Sequence, residues 1–220
     1  MKKIVMWKRE YGIMNLIIIM VCALSLIINA FTVNQDELLA LNANKRLAFV
    51  LNFLLADKGM LISNGSLSYD AVFYKGQCWR VITNTYLHAG IFHMAFNMGA
   101  LICVGRYIEK KIGSIVYILC FNIIAIIDAI IVCNIFPDEV SVGASAGIFG
   151  ILGIAVAFFV IDRKSMNEMK KGELIFLIIF SGLSLLLGVS SFVHHFCAFV
   201  IGLLVGLAIY RLFFRSSVES

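Results

Sequence analysis

Residues 142–161 read VGASAGIFGILGIAVAFFVI, without one charged side chain. About 20 apolar residues at 1.5 Å rise each match the roughly 30 Å hydrocarbon core of a bilayer. Only a helix or a closed barrel satisfies its own backbone amides and carbonyls in that medium. The run therefore reads as a membrane-spanning helix. Five more stretches share its character, at 12–33, 90–106, 113–135, 173–189 and 191–211. The second is short and opens on a cluster of polar residues. The whole chain agrees: 220 residues are 61% hydrophobic and 14% charged, with mean hydropathy +0.97. A soluble domain is closer to half apolar and a quarter charged. The expected fold class is all-α, a polytopic membrane protein with a six-transmembrane-helix bundle.

Between the first two spans lies a long loop, about 34–88. Leu38–Leu55 within it is rich in Leu and Ala but interrupted by Asn42, Asn44, Lys45 and Arg46. That pattern predicts an amphipathic helix lying at the interface. The first span follows Met1-Lys-Lys, and its apolar run is longer than a signal peptide's, so an uncleaved anchor is expected. Orientation follows from Lys and Arg. With the N-terminus inside, 13 of the 18 fall on the inner side, and the other five (Lys45, Arg46, Lys58, Lys75, Arg80) lie in the long loop. The expected arrangement is a short cytoplasmic segment 1–11, a membrane domain 12–211 and a short cytoplasmic tail 212–220, N-in and C-in. The net charge of +5 is explained by this placement around the membrane, and gives no reason to expect a nucleic-acid partner. Six cysteines, without a C-x-x-C pair, form neither a disulfide framework nor a zinc site. They read as small packing residues.

Polar groups inside a bilayer are costly, so those retained mark function or helix contacts. His88, His93 and Asn97 fall at the outer end of the second span, Gly143-Ala-Ser145-Ala-Gly147 opens the fourth from outside, and His194-His195 sit a few residues into the sixth. Three distant segments thus place their polar residues at one depth. A serine hydroxyl needs a nearby base to become a nucleophile, and a neutral histidine is the usual one. With no Asp or Glu expected at that depth, a Ser–His dyad without carboxylate is the economical reading. Asn97 and His93, four apart, face one side of a helix. They can donate hydrogen bonds to an oxyanion, as can the free N–H at Ser145. Gly150 and Gly153 continue the glycines of the fourth span, while Ala198, Gly202 and Gly206 follow His195 at four-residue spacing. Such stripes let helices approach closely, which would bring Ser145 and His195 together.

Blander readings compete. G-x-S-x-G is also the nucleophile elbow of soluble hydrolases, but that context needs strand, turn and helix, and both flanks here are membrane helix. The glycines and serine could be plain packing residues, and His93 with Asn97 an interhelical hydrogen bond. A metal site is disfavoured: neither His88/His93 nor His194/His195 has the i, i+4 spacing that puts two ligands on one helix face. Counting to Ala198 and Gly202 puts His195 on the packed face. His194 then points about a hundred degrees away, with a polar role and no catalytic part.

The pattern from about Gly76 to Gly206 resembles the rhomboid family of intramembrane serine proteases. Trp79-Arg80 before His88 is similar to its first-loop motif, and His88-x4-His93-x3-Asn97 to its second-helix motif. Gly105-x3-Glu109-x3-Gly113 resembles its inner-end stretch, where the acid is structural. Gly143-Ala-Ser145-Ala-Gly147-Ile-Phe149-Gly150 resembles the nucleophile motif, and His195-x2-Ala198-x3-Gly202 the histidine motif. The resemblance implies Ser145 as nucleophile, His195 as base, and Ser145 N–H, Asn97 and His93 around the oxyanion. His88, Gly143, Gly147, Phe149, Ala198, Gly202, Trp79, Arg80 and Glu109 would support them. The loop carrying Trp79 and Arg80 would cover or brace the site. Ala198 stands where the family more often has glycine, and Phe149 where bacterial members often have a tyrosine stacked on the histidine. Substrates would be transmembrane segments of other proteins, entering between the second and fifth helices, with no metal or cofactor. Two other classes remain: a rhomboid-like protein that escorts membrane segments without cutting them, and a transporter. The first usually lacks the serine or the histidine, and the second would place polar residues near the midplane. Sparse proline and Lys/Ile-rich usage point to a bacterial plasma membrane.

Overall fold

The computed structural model describes residues 12–32, 45–55, 58–186 and 188–213. Helix α1 spans Ile13–Phe31. The loop that follows carries α2 (Lys45–Leu54), α3 (Lys58–Asn64), a π-turn at Asp70–Tyr74 and the single turn α4 (Arg80–Thr83). Helix α5 (Ile91–Ala100) passes through a π-helical stretch, Leu101–Gly105, into α6 (Arg106–Ile112), making one continuous rod. Then come α7 (Ser114–Ile135), α8 (Ser145–Ile161), α9 (Lys171–Leu185) and α10 (Val189–Phe213). The α1, α5–α6, α7 and α10 rods are long and apolar enough to cross a membrane. Helices α8 and α9 are shorter, at 17 and 15 residues. These are the six expected helices, and their surfaces fit a lipid solvent. Ile178 is 72% exposed, Leu204 61% and Ile115 73%, while Phe121, Ile148, Ile151 and Phe158 fill the interior.

Boundaries shift where tertiary contacts override hydropathy. The second span runs on to Ile112, beyond the expected 106, because its inner turns are tied down. Glu109, buried, accepts hydrogen bonds from Met14 N (3.0 Å), Asn15 N (2.8 Å) and Ser114 Oγ (2.5 Å). A carboxylate at the α1 N-terminus also complements the helix dipole. Gly113, at φ +82, turns the chain directly from α6 into α7. Arg106 pairs with Glu173 and Lys111 with Glu168 (2.6 Å), joining α6 to α9 and its preceding turn. The fourth helix starts at Ser145 rather than 142, because residues before it belong to the loop. Ser141 exchanges backbone hydrogen bonds with Leu67 (2.9 and 3.0 Å), and Gly143 N donates to Asn84 O (2.9 Å).

The loop helix expected over 38–55 is present as α2. Residues 33–44 lie outside those described. Its Phe49 ring packs on Phe31, 4.6 Å between centroids, while Leu47, Val50, Leu51 and Leu54 form an exposed apolar face. The most extensive helix contact is α8 on α10. A methyl carbon at Gly202 would strike the Gly150 carbonyl, and one at Gly153 would strike the Phe199 carbonyl. The α8 glycines also serve a second neighbour: Gly147 abuts the Phe121 ring and Gly150 the Ile124 side chain, both on α7. The glycines expected to bring the fourth and sixth helices together thus let α8 approach α7 as well.

Candidate active site

A cavity of about 580 Å³ opens among α5, α7, α8, α9 and α10. Ser145, His195, His93 and Asn97 all line it, together with Gly143. Ser145 is the first residue of α8, where Gly143 (φ +126) turns the chain into the helix. The first hydrogen bond of the helical ladder is Ile148 N to Ala144 O (3.0 Å). The N–H groups of Ser145 and its next two neighbours therefore lie ahead of the ladder, as at any helix start.

His195 is buried and its ring stacks on Phe149, with centroids 4.3 Å apart and planes 16° apart. Phe149 sits one turn below Ser145 on α8, so the stack turns His195 toward that helix. Phe149 also stacks on Phe180 of α9 at 5.4 Å. Ala198, one turn inward of His195, is fully buried.

Gly143 separates the serine from His93. A Cβ there would lie 3.0 Å from His93 Nε2 and 3.9 Å from Ser145 Oγ, so any side chain would fill the space between them. His93 Nδ1 accepts a long hydrogen bond from Ala89 N (3.4 Å). An imidazole accepting at Nδ1 carries its proton on Nε2 when neutral, the atom beside Gly143. Asn97 Nδ2 donates to His93 O (2.9 Å), which leaves its second amide hydrogen uncommitted. His88 does not line the cavity. It is buried edge-on to His93, 5.2 Å between centroids. Burial, and secondarily the proximity of His93, push its pKa down to about 3, so it is neutral at physiological pH.

Trp79 and Arg80 lie away from the cavity and hold the loop together. Arg80 is buried: Nη1 donates to Ile62 O (2.7 Å) and Ser66 O (2.9 Å), and Nε to Gln77 Oε1 (2.6 Å). Its guanidinium lies 4.8 Å from the Trp79 ring. Glu109 is at the opposite end of the bundle, capping α1. All six cysteines carry free thiols.

The expectation that no carboxylate reaches this depth is overturned. Asp128, on α7, is fully buried and lines the cavity, with Oδ2 2.7 Å from His194 Nδ1. His194 lines the cavity too. The sequence signal was a lone Asp within an apolar span, a costly placement that requires a partner. Spacing could not reveal which histidine, because the partner lies 66 residues on.

Comparison with known proteins matches this architecture. The Rhomboid domain family profile aligns with residues 75–216. RHOMBOID-like protein 7 of Arabidopsis thaliana is 29% identical over 148 residues, covering 64% of this chain and 47% of its own length. Rhomboid protease GluP of Bacillus subtilis is 34% identical over 122 residues, 56% of this chain and 24% of its own. Inactive RHOMBOID-like protein 8 of Arabidopsis thaliana is 26% identical over 132 residues, 60% and 37% respectively. The chain thus spans under half the length of each, and with plant and bacterial relatives alike the kinship does not single out a bacterial source. The matched segment includes every helix that lines the cavity, and the chain belongs to the rhomboid family of integral membrane proteins.

Proposed function

We propose that the protein is an intramembrane serine endopeptidase that hydrolyses peptide bonds in, or next to, membrane segments of other proteins. The observation that carries this reading is one cavity holding Ser145, the Phe149-stacked His195, and the donors His93 and Asn97. Ser145 Oγ attacks the scissile carbonyl carbon as His195 takes its proton. The carbonyl oxygen becomes an oxyanion, stabilised by Ser145 N–H, His93 Nε2–H and Asn97 Nδ2–H. His195 then protonates the leaving amine, the C–N bond breaks, and an acyl-enzyme remains. Water adds to the ester, His195 accepting its proton and returning it to Ser145 as the carboxylic acid departs. Phe92 and Phe96 of α5 and Phe180 and Leu183 of α9 line one side of the cavity, which supports entry of a substrate between these two helices. The segment must be locally unwound, since an intact helix keeps its carbonyls hydrogen-bonded. The site faces the outer side, with both termini inside.

The test is cleavage of a type-I membrane-segment reporter by purified protein in detergent, beside Ser145→Ala and His195→Ala. Wild type should cut, and each variant should lose activity by at least about 10³-fold. A relative named inactive keeps a second reading in view, escort of membrane segments without cleavage. Reporter binding without cutting, and without Ser145-dependent fluorophosphonate labelling, would establish it.

A further inference from the structure

His195 enters the cavity with no hydrogen bond at Nδ1, which is buried and unpartnered. The Phe149 ring holds its face, and stacking resists tilt better than sliding. The side chain that is anchored is its neighbour. His194 Nδ1 meets Asp128 Oδ2 at 2.7 Å, joining α10 to α7. A carboxylate buried without a partner is strongly disfavoured, so it demands a donor. This bond is therefore directional and strong.

Its location matters. The close-packed stripe of α10 consists of Ala198, Gly202 and Gly206, all inward of His195. Outward, Val189 is 72% exposed and Phe192 42%, facing away from the bundle. The stripe fixes the inner turns of α10 against α8 and leaves the rotation of its outer turns to other contacts. With side chains about 6 Å from a helix axis, a 20° rotation displaces a ring by about 2 Å. Misplacement of a reacting group by about 1 Å can cost on the order of 10²-fold in rate.

Resting on the proteolytic reading above, we propose that Asp128 and His194 are positioning residues: the carboxylate on α7 holds the His194 ring, fixing the rotation of the outer turns of α10 so that His195 meets Ser145. The family resemblance assigns neither residue a role. Both line the cavity, so two rival roles are open to test, a substrate-binding subsite and a brace that matters only for folding.

The experiment uses the full-length protein in detergent. It measures the rate of fluorophosphonate labelling at Ser145, kcat and KM on the membrane-segment reporter, and Tm, for wild type, Asp128→Ala, Asp128→Asn and His194→Ala. Labelling reads the activation of Ser145 without a bound substrate segment. The expected result for both alanine variants is a fall of about 10- to 100-fold in labelling rate and kcat, with KM within about twofold of wild type. Asp128→Asn, whose amide oxygen still accepts from His194, should recover most of the rate. Should Asp128→Ala fail to fold, His194→Ala carries the test, because it breaks the same bond from the α10 side. Raised KM with unchanged kcat and labelling would overturn the proposal in favour of a subsite. Lowered Tm with unchanged labelling per folded molecule would overturn it in favour of a brace. Asp128→Asn as slow as Asp128→Ala would show that charge, not the bond, matters, and would also overturn it. A wild type inert in both assays would remove the proteolytic reading, and this inference with it; a reactive wild type equalled by its variants would remove this inference alone.

Discussion

Asn97 is the residue whose contribution a single substitution isolates most cleanly. Its amide already holds the His93 carbonyl within the same helix, so Asn97→Ala frees one carbonyl without disturbing Ser145, His195 or Phe149. The expected outcome is a loss on the order of 10²-fold in kcat with KM little changed, because the donor acts on charge that develops only in the transition state. A rise in KM alone would assign Asn97 to substrate binding. His88 acts differently, through the folded state. Its pKa is lowered from 6.5 to about 3 by burial, with His93 adding to the effect. The unfolded chain therefore binds a proton that the folded chain refuses. The stability that a neutral His88 provides is fully present above about pH 6.5, and is lost as the pH falls toward 3. His88→Gln should flatten the fall in Tm between pH 7 and pH 4. Parallel curves for wild type and variant would show that His88 is not the group responsible.

At the scale of helices, the α8–α10 contact is where the family resemblance and the packing pull apart. The resemblance places glycine more often where Ala198 stands, and an added methyl group there would by itself loosen the approach of the last helix. Ala198 is instead fully buried, and its neighbour one turn inward, Gly202, already lies too close to the Gly150 carbonyl to bear a side chain. The methyl at 198 is thus accommodated within a tight seam. Ala198→Gly should lower stability by about 1 kcal/mol or more, combining a small void with the poorer helix propensity of glycine. A higher Tm for the variant would mean that the methyl is strained. The same seam sets side by side the two helices that carry Ser145 and His195. Without glycine at 153 and 202, the two helices would stand a side chain further apart.

At the scale of the molecule, the expected N-in, C-in orientation rests on where the cations lie. Lys2, Lys3, Lys110, Lys111, Lys164 and Lys170 share one side in the expected topology. Cys78 provides the check, being an exposed thiol in the long loop on the other side. A membrane-impermeant maleimide should label Cys78 in intact cells, and Lys170→Cys only after permeabilisation. The reverse pattern would invert the topology and turn the cavity to the inner face. The loop that bears Cys78 is no loose cover. Arg80 gathers its turns, and the Leu67–Ser141 pairing with the Asn84–Gly143 bond ties it to the residues just before Ser145.

Sequence alone determined the class, the six helices and the shared level of His93, Asn97, Ser145 and His195 along the bundle, though not that of Asp128. Position along a membrane normal is a one-dimensional property, set locally by hydropathy and by a rise of 1.5 Å per residue. It also determined that His93 and Asn97 share a face, since four residues make nearly one turn. Tertiary structure decided what lies round each helix. It turned Gly147 to Phe121 rather than to the sixth helix, placed Arg80 within the loop away from the cavity, and began α8 at Ser145 through pairing with Leu67. Above all it joined Asp128 to His194. That bond links two rods through their rotation about their own axes and their packing order, and neither quantity is recorded by the composition of a single span.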